Sequence, residues 1–154
     1  MNKTLILYKT NKGMTEKLSN ILKQRVETCD LYELNQFNGH LDDYTNILLG
    51  TPIYIGKIHK KVKMFIDENI STLLKKNVFC FFSGMNFKEE ANVINLNFNS
   101  ELKNHFTFSY LGGSYQFDKM NFLQKMIIRK VSGENKSKEI ILEDKLQAFI
   151  EKIK

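Results

Sequence analysis

Three short stretches of this sequence combine hydroxyls, amides, glycine and aromatic rings in ways that can hold a small molecule. Thr10-Asn11-Lys12-Gly13-Met14-Thr15 places two hydroxyls, an amide, an ammonium group and a glycine just ahead of a helical pattern. A helix N-terminus offers free backbone N–H groups and the positive end of the helix dipole, so the stretch reads as an anion site. One phosphate monoester suits it. The Gly-Lys-Ser/Thr end of a P-loop is missing, and so is the three-glycine dinucleotide turn. Gly13 permits close backbone approach, and Thr15 is expected to cap the helix while bonding a phosphate oxygen. Taken alone, the stretch has a simpler reading as an ordinary threonine cap after a glycine turn.

Thr51-Pro52-Ile53-Tyr54-Ile55-Gly56-Lys57 offers a stiff exit at Pro52, an aromatic face at Tyr54 and a conformationally free peptide at Gly56. A planar heterocycle could stack on Tyr54, although the ring could equally pack over a sheet end. Ser83-Gly84-Met85-Asn86-Phe87 adds backbone donors, an amide and a second aromatic. Each stretch is weak by itself. All three directly follow apolar runs, and that shared position carries the argument. No side chain is placed as a nucleophile or as an acid–base pair. Cys29 and Cys80, with His40, His59 and His105, show no metal-ligand spacing, and both cysteines sit in strand-like runs as buried, unreactive thiols.

The elements that must position these loops follow from the apolar periodicity. Leu5-Ile6-Leu7, Ile47-Leu48-Leu49 and Val78–Phe82 are the continuous runs of strands buried on both faces. Weaker strands are expected at Cys29–Leu34 and Phe106–Leu111. Met14, Leu18, Ile21, Leu22 and Val26 recur at helical spacing, as do Ile58, Val62, Phe65, Ile66, Ile70, Leu73 and Leu74. In Glu89–His105, Ile94, Leu96 and Phe98 alternate as in a strand while Ala91, Ile94, Phe98 and Leu102 fit a helix, and topology favours the helix. Further helices are expected at Asp118–Val131 and Glu143–Ile153. Strands alternating with helices imply βαβ units, hence a three-layer α/β/α sandwich on a five-stranded parallel sheet of order 2-1-3-4-5. Ligands of such sheets bind beyond the carboxyl ends of the strands, where all three loops lie.

The 154 residues suit a single domain over 1–154, and 42% hydrophobic residues can fill its core. The longest apolar run, Val78–Phe82, is far short of the roughly 20 residues a spanning helix needs. No signal-peptide pattern opens the chain, so a cytoplasmic protein is expected. A net charge of +6 permits an anionic ligand, an anionic membrane or nucleic acid. Lysine outnumbers arginine 21 to 2, and no nucleic-acid motif occurs. Nucleic acid is therefore not expected as a partner. The segment 118–131 combines a broad apolar face with Lys119, Lys125, Arg129 and Lys130, a composition open to peripheral membrane contact, core burial or a dimer contact.

With these residues in view, the sequence resembles the flavodoxin family over essentially its whole length. The first stretch is similar to the family's hydroxyl- and glycine-rich phosphate loop, and the second to the loop flanking the isoalloxazine ring. The third is similar to its remaining flavin contact. Gly50–His59, and the tail Gly112–Phe122 with Ser132-Gly133, resemble a branch that includes the flavodoxin-type, quinone-linked protoporphyrinogen dehydrogenase. The resemblance implies non-covalent FMN, electron or hydride transfer, and a redox partner or small-molecule donor or acceptor such as a quinone or porphyrinogen. It implies that Thr10, Asn11, Lys12, Gly13, Met14 and Thr15 hold the phosphate. Pro52, Ile53, Tyr54, Ile55 and Gly56 would flank one side of the ring, and Ser83, Gly84, Met85, Asn86 and Phe87 would close the other.

The sequence also departs from the family pattern. Lys12 stands where the family often has a hydroxyl. The third loop lacks the acidic residue and downstream tyrosine of many small carriers, leaving Met85 or Phe87 to cover the ring. Those carriers are strongly acidic, and this chain is basic. A lysine about 8 Å from the ring, at an effective dielectric near 20, contributes roughly 2 kcal/mol, or about 90 mV for one electron before screening. Lys57 is the expected source of such a raised reduction potential. The expectation is an oxidoreductase of the protoporphyrinogen-dehydrogenase type. A mobile electron-transfer flavodoxin is the alternative, and a non-redox anion- or nucleic-acid-binding module is the rival from another class.

Overall fold

Strict alternation inside the apolar runs decides which layer each side chain joins. In the computed structural model, which describes residues 3–115 and 138–153, Leu5, Leu7, Ile47, Leu49, Cys80 and Phe82 face one side of a sheet. Ile6, Leu48, Phe79 and Phe81 face the other. Strands with no polar face must be covered twice, and they are. The strands are β1 (Thr4–Tyr8), β2 (Cys29–Glu33), β3 (Asn46–Tyr54), β4 (Lys57–Ile58), β5 (Asn77–Ser83), β6 (Thr107–Tyr115) and β7 (Lys138–Ile141).

Five strands run parallel in the order β2-β1-β3-β5-β6, the flavodoxin-like order expected from the sequence. Two further pieces were not anticipated. Strand β7 adds to β6 antiparallel, and β4 folds back on the end of β3. On one face lie α1 (Met14–Arg25) and the helix labelled here α6 (Glu143–Glu151), with Leu18, Leu22, Leu146 and Phe149 fully buried. Arg25 joins α1 to α6 through a forked pair of bonds to Glu143, at 2.7 and 3.2 Å. On the other face lie α2 (Lys60–Glu68), α3 (Ile70–Leu73), α4 (Glu90–Asn97) and α5 (Ser100–His105).

The sequence suggested one helix over Ile58–Leu74 and another over Glu89–His105, and both are broken. Asn69 ends α2 by turning its side-chain amide back to the Phe65 carbonyl at 2.8 Å. The second break falls at Phe98-Asn99, where Asn99 caps α5 by accepting from Leu102 N–H at 3.0 Å. Apolar periodicity continues across both breaks because each successor helix covers the same sheet face. Short polar caps, which periodicity does not register, decide where the helices stop. The expected helix Asp118–Val131, and most of the tail that resembles the porphyrinogen branch, lie outside the described residues.

Strand β7 pairs only with Gly112–Tyr115 of β6. Lower on the same strand, the Tyr110 N–H donates to Glu90 Oε1 at 2.7 Å, and Lys145 Nζ donates to that same oxygen at 2.6 Å. One carboxylate thus accepts from the strand's backbone and links α4 to α6. Among the described residues no helix is long and apolar enough to cross a membrane.

Gly50, in the middle of β3, lies directly under the Phe81 ring: a Cβ there would come within 2.4 Å of Cζ. Because Phe81 is fully buried, the ring has nowhere to go. Gly50→Ala should destabilise the protein by about 2 kcal/mol or more, read as a lowered urea midpoint at unchanged slope.

Candidate functional site

The parallel register brings the ends of β1, β3 and β5 side by side, so the three stretches meet at one end of the sheet. The first begins as Lys9 extends the β1–β3 ladder, donating to the Gly50 carbonyl at 3.1 Å. Gly13, at φ 100, turns the chain into α1, a conformation an L side chain rarely adopts. Thr10 Oγ1 accepts the Gly13 N–H at 2.9 Å, closing the loop and leaving the Thr10 hydroxyl hydrogen to donate. Asn11 is exposed, and Lys12 is half-buried. The first-turn N–H groups of α1 lie beyond the reach of intrahelical acceptors.

Met14 and Thr15 differ from the sequence reading. Gly13, not Thr15, is the capping residue, and both Met14 and Thr15 are buried. Thr15 Oγ1 lies 2.6 Å from Ser83 Oγ, so this hydroxyl ties the first loop to the third. Beneath them Tyr8 donates to Glu16 at 3.0 Å, and burial with that acceptor pushes the phenol up to about 12.

The second stretch is a hairpin and not an open loop. Ile53 pairs with Ile58 and Tyr54 with Lys57, leaving Ile55 and Gly56 as a two-residue turn. Both turn residues have positive φ, 49° and 76°, the pattern of a type I′ turn. Tyr54 is 58% exposed and Ile55 82%, so the tip presents an aromatic and an aliphatic side chain to solvent. Pro52 and Ile53 are half-buried at its base. Asn97, at the end of α4, reaches the hairpin from the side, donating to Gly56 O at 2.8 Å and accepting from Ile58 N at 3.1 Å.

The third stretch is placed by backbone contact. Gly84 N donates to Gly112 O at 2.9 Å, where the β5–β6 register shifts after Phe82. A Cβ on Gly113 would come within 2.1 Å of Gly84 O. Only glycine at 113 lets β6 lie this close to the loop. Ser83 is buried, Asn86 is exposed, and Gly84 and Met85 are half-buried. Phe87 is half-buried against the core. Below Gly84 lies the Tyr110 ring, whose hydroxyl is buried with no partner among the described residues.

Two charged features complete the rim. Lys9 pairs with Glu33 at 3.2 Å. His59 is the N-cap of α2: its Nδ1 accepts Lys61 N–H at 3.0 Å, and its own N–H donates to Thr51 Oγ1 at 2.8 Å. Lys57, Lys60, Lys61 and Lys63 are exposed, with Lys63 paired to Asp67. Both cysteines are buried thiols. Burial raises Cys29 to about 11 and Cys80 further still.

The groups at the first loop are almost all donors: helix amides, the Thr10 hydroxyl, the Asn11 amide and the Lys12 ammonium. Such a set fits a phosphate dianion. Beside it stand an exposed tyrosine and two backbone turns, which suit the edge and face of a planar ring. The arrangement fits a flavin mononucleotide, with Thr15 bracing the site from within. Sequence reasoning missed Asn97, which lies among four asparagines between 92 and 99 with nothing to single it out. It also missed the Thr15–Ser83 contact, which joins residues 68 apart.

An open, mostly parallel sheet with a donor-lined site at its switch point defines an α/β ligand-binding protein of the doubly wound class. Comparison narrows this further. The sequence matches the family described as Flavodoxin domain over residues 5–140; the chain belongs to the flavodoxin family. No curated protein matches it. Among solved structures it is similar to the flavoprotein of Lactobacillus acidophilus NCFM in complex with FMN, at 19% identity and TM-score 0.51, over 71% of this chain and 91% of that one. It is similar to oxidised flavodoxin 2 from Bacillus cereus, at 21% identity and TM-score 0.52, over 70% and 84%. It also matches rubredoxin oxygen:oxidoreductase from Desulfovibrio gigas, at 18% identity and TM-score 0.55, covering 72% of this chain. The chain spans only 30% of the length of that last protein. At such identities these structures establish the fold.

The His59 cap has a pH signature. Burial, reinforced by Lys9 and Lys61 against the pull of Glu33, lowers its pKa below the ordinary 6.5. The unfolded chain therefore takes up a proton that the folded histidine refuses, and stability should fall as pH drops below about 6.5. His59→Ala should cost about 1 kcal/mol at pH 8 and flatten that part of the profile, as urea unfolding across pH would show.

Gly113→Ala tests the backbone contact. It should lower the thermal midpoint and loosen the third loop, seen as faster amide exchange at Gly84 and Met85.

Proposed function

We propose that the chain holds FMN non-covalently across the ends of β1, β3 and β5 and works as a redox protein. The observation that carries this reading is the donor-rich first loop set beside the exposed Tyr54 hairpin at the switch point. The α1 amides, Thr10, Asn11 and Lys12 would hold the phosphate. Tyr54, Ile55 and Gly56 would flank the ring on one side, with Gly84, Met85, Asn86 and Phe87 on the other. Bound FMN supplies a redox centre that exchanges electrons singly or in pairs, so no protein nucleophile is required.

Within this reading the chain is an oxidoreductase of the protoporphyrinogen-dehydrogenase type. Each removal of two electrons and two protons from a porphyrinogen would be matched by reduction of one quinone to its quinol. Support comes from the resemblance of Gly50–His59 and from the exposed lysines at 57, 60 and 61, which would favour carboxylate-bearing substrates. Any membrane contact for quinone exchange would fall to segment 118–131, outside the described residues.

The first test is an FMN titration of the purified protein followed by flavin absorbance and fluorescence. Submicromolar binding is expected, with Thr10→Val weakening it by on the order of tenfold through loss of one bond to a charged group. Failure to bind FMN, together with salt-dependent binding of nucleic acid, would overturn the reading in favour of an anion-binding module. Porphyrinogen oxidation with a quinone acceptor should proceed. Turnover seen only with a reductase partner would instead identify a mobile carrier. Lys57 is exposed, so Lys57→Gln should lower the bound flavin's potential by about 20 to 90 mV, depending on screening.

A further inference from the structure

Ile55 sits where its side chain type is least at home. A β-branched residue at φ 49 is a genuine outlier, and the first centre of a type I′ turn is normally asparagine, aspartate or glycine. Such a conformation persists only where its surroundings over-determine it. Packing does not do so here, because Ile55 is 82% exposed. Nor can two strand pairs hold a hairpin alone.

The His59 N–H closes the hairpin's base on Thr51 Oγ1, and at the turn itself the support is Asn97. Its amide nitrogen donates to Gly56 O at 2.8 Å and to Val93 O at 2.7 Å, while its oxygen accepts Ile58 N–H at 3.1 Å. The bond to Val93 fixes the side chain on the last turn of α4. The other two grip the returning strand on either side of Lys57 and stand in for a missing strand. Leu96, the preceding residue, lies beside the turn: its Cδ2 would be 3.5 Å from a Cβ on Gly56.

We propose that Asn97 is a positioning residue for the ligand: it clamps the Tyr54–Lys57 hairpin so that Tyr54 and Ile55 stand as a preformed apolar wall against the isoalloxazine. The inference rests on the FMN reading above and adds to it a residue that does not itself touch the cofactor. Its physical content is pre-organisation. The strain at Ile55 is borne by α4 before binding, so the ligand need not impose it. The Gly56 carbonyl is likewise committed to Asn97, so the ring meets the hairpin's side chains and its remaining backbone groups.

The test compares wild type, Asn97→Ala, Asn97→Asp and the double variant Ile55→Asn/Asn97→Ala. In the apo-protein, amide exchange at Ile58 should rise by on the order of tenfold in Asn97→Ala, with β1 and β5 unchanged. FMN affinity should weaken by a similar factor, and the visible circular dichroism of the bound flavin should change shape. Asn97→Asp keeps an acceptor for Ile58 but loses the donors to Gly56 and Val93, so it should weaken FMN and raise Ile58 exchange by less than Asn97→Ala does. If Asn97→Ala fails to fold, this variant still decides the matter. In the double variant an Asn-Gly pair favours the turn by itself, so FMN affinity should return toward wild type while Ile58, left without its acceptor, stays fast to exchange.

Unchanged FMN affinity and unchanged flavin dichroism in both single variants would overturn the positioning role, even if Ile58 exchanges faster. Unchanged Ile58 exchange in Asn97→Ala would overturn the clamp. If wild type itself binds no FMN, the proposed function falls and takes this role with it. Wild-type binding with indifferent variants removes the role alone.

Discussion

Contact between two backbones, Gly113 against the Gly84 peptide, is the constraint on which the rest of the site depends. A single added carbon at 113 would overlap the Gly84 carbonyl, so the approach of β6 to the end of β5 is fixed by the absence of a side chain. That approach shifts the register after Phe82 and bends the chain so that Gly84 bonds Gly112 and not the next residue in the ladder. Ser83 is thereby turned inward, where it meets Thr15. The first and third loops then share one buried hydroxyl contact. A sheet of this kind could carry loops of many shapes; here their spacing is set from below.

The hairpin obeys a different logic. The first and third loops are held by the sheet, but the Tyr54–Lys57 hairpin extends past it and has only two paired residues of its own. Its support comes sideways, from α4. One side of the site is thus held by the sheet beneath it, and the tip of the other by one side-chain amide above the His59–Thr51 bond at its base. These two supports differ in how they would yield: loosening the first disturbs the fold, while loosening the second disturbs only the tip.

Much of this was legible in the sequence, and the reasons are physical. Leu5-Ile6-Leu7, Ile47-Leu48-Leu49 and Val78–Phe82 could only be strands buried on both faces, and their alternation with amphipathic helices left few topologies. The loops that follow them were legible as a site because strand ends in such sheets are where ligands bind. What the sequence hid was local. Lys57-Ile58 is too short to show a period, so the hairpin read as a loop. Asn97 resembles its asparagine neighbours until α4 aims it. Strand β7 has only four residues, half of them charged, and takes its place from pairing with β6. Thr15 read as a cap because threonine before a helix usually is one, and burial beside Ser83 prevailed.

Glu90 does more than join two helices. Below its pairing with β7, β6 has no second strand beside it among the described residues, and an uncovered strand offers its N–H groups to any passing chain. By occupying the Tyr110 N–H with a carboxylate, and shielding that carboxylate with Lys145, the fold blocks one such position with a charge. A neighbouring molecule would have to displace an ion pair before it could zip alongside. The carboxylate that joins two helices therefore also closes one donor of β6 to any other strand, beside the register shift that follows Tyr110.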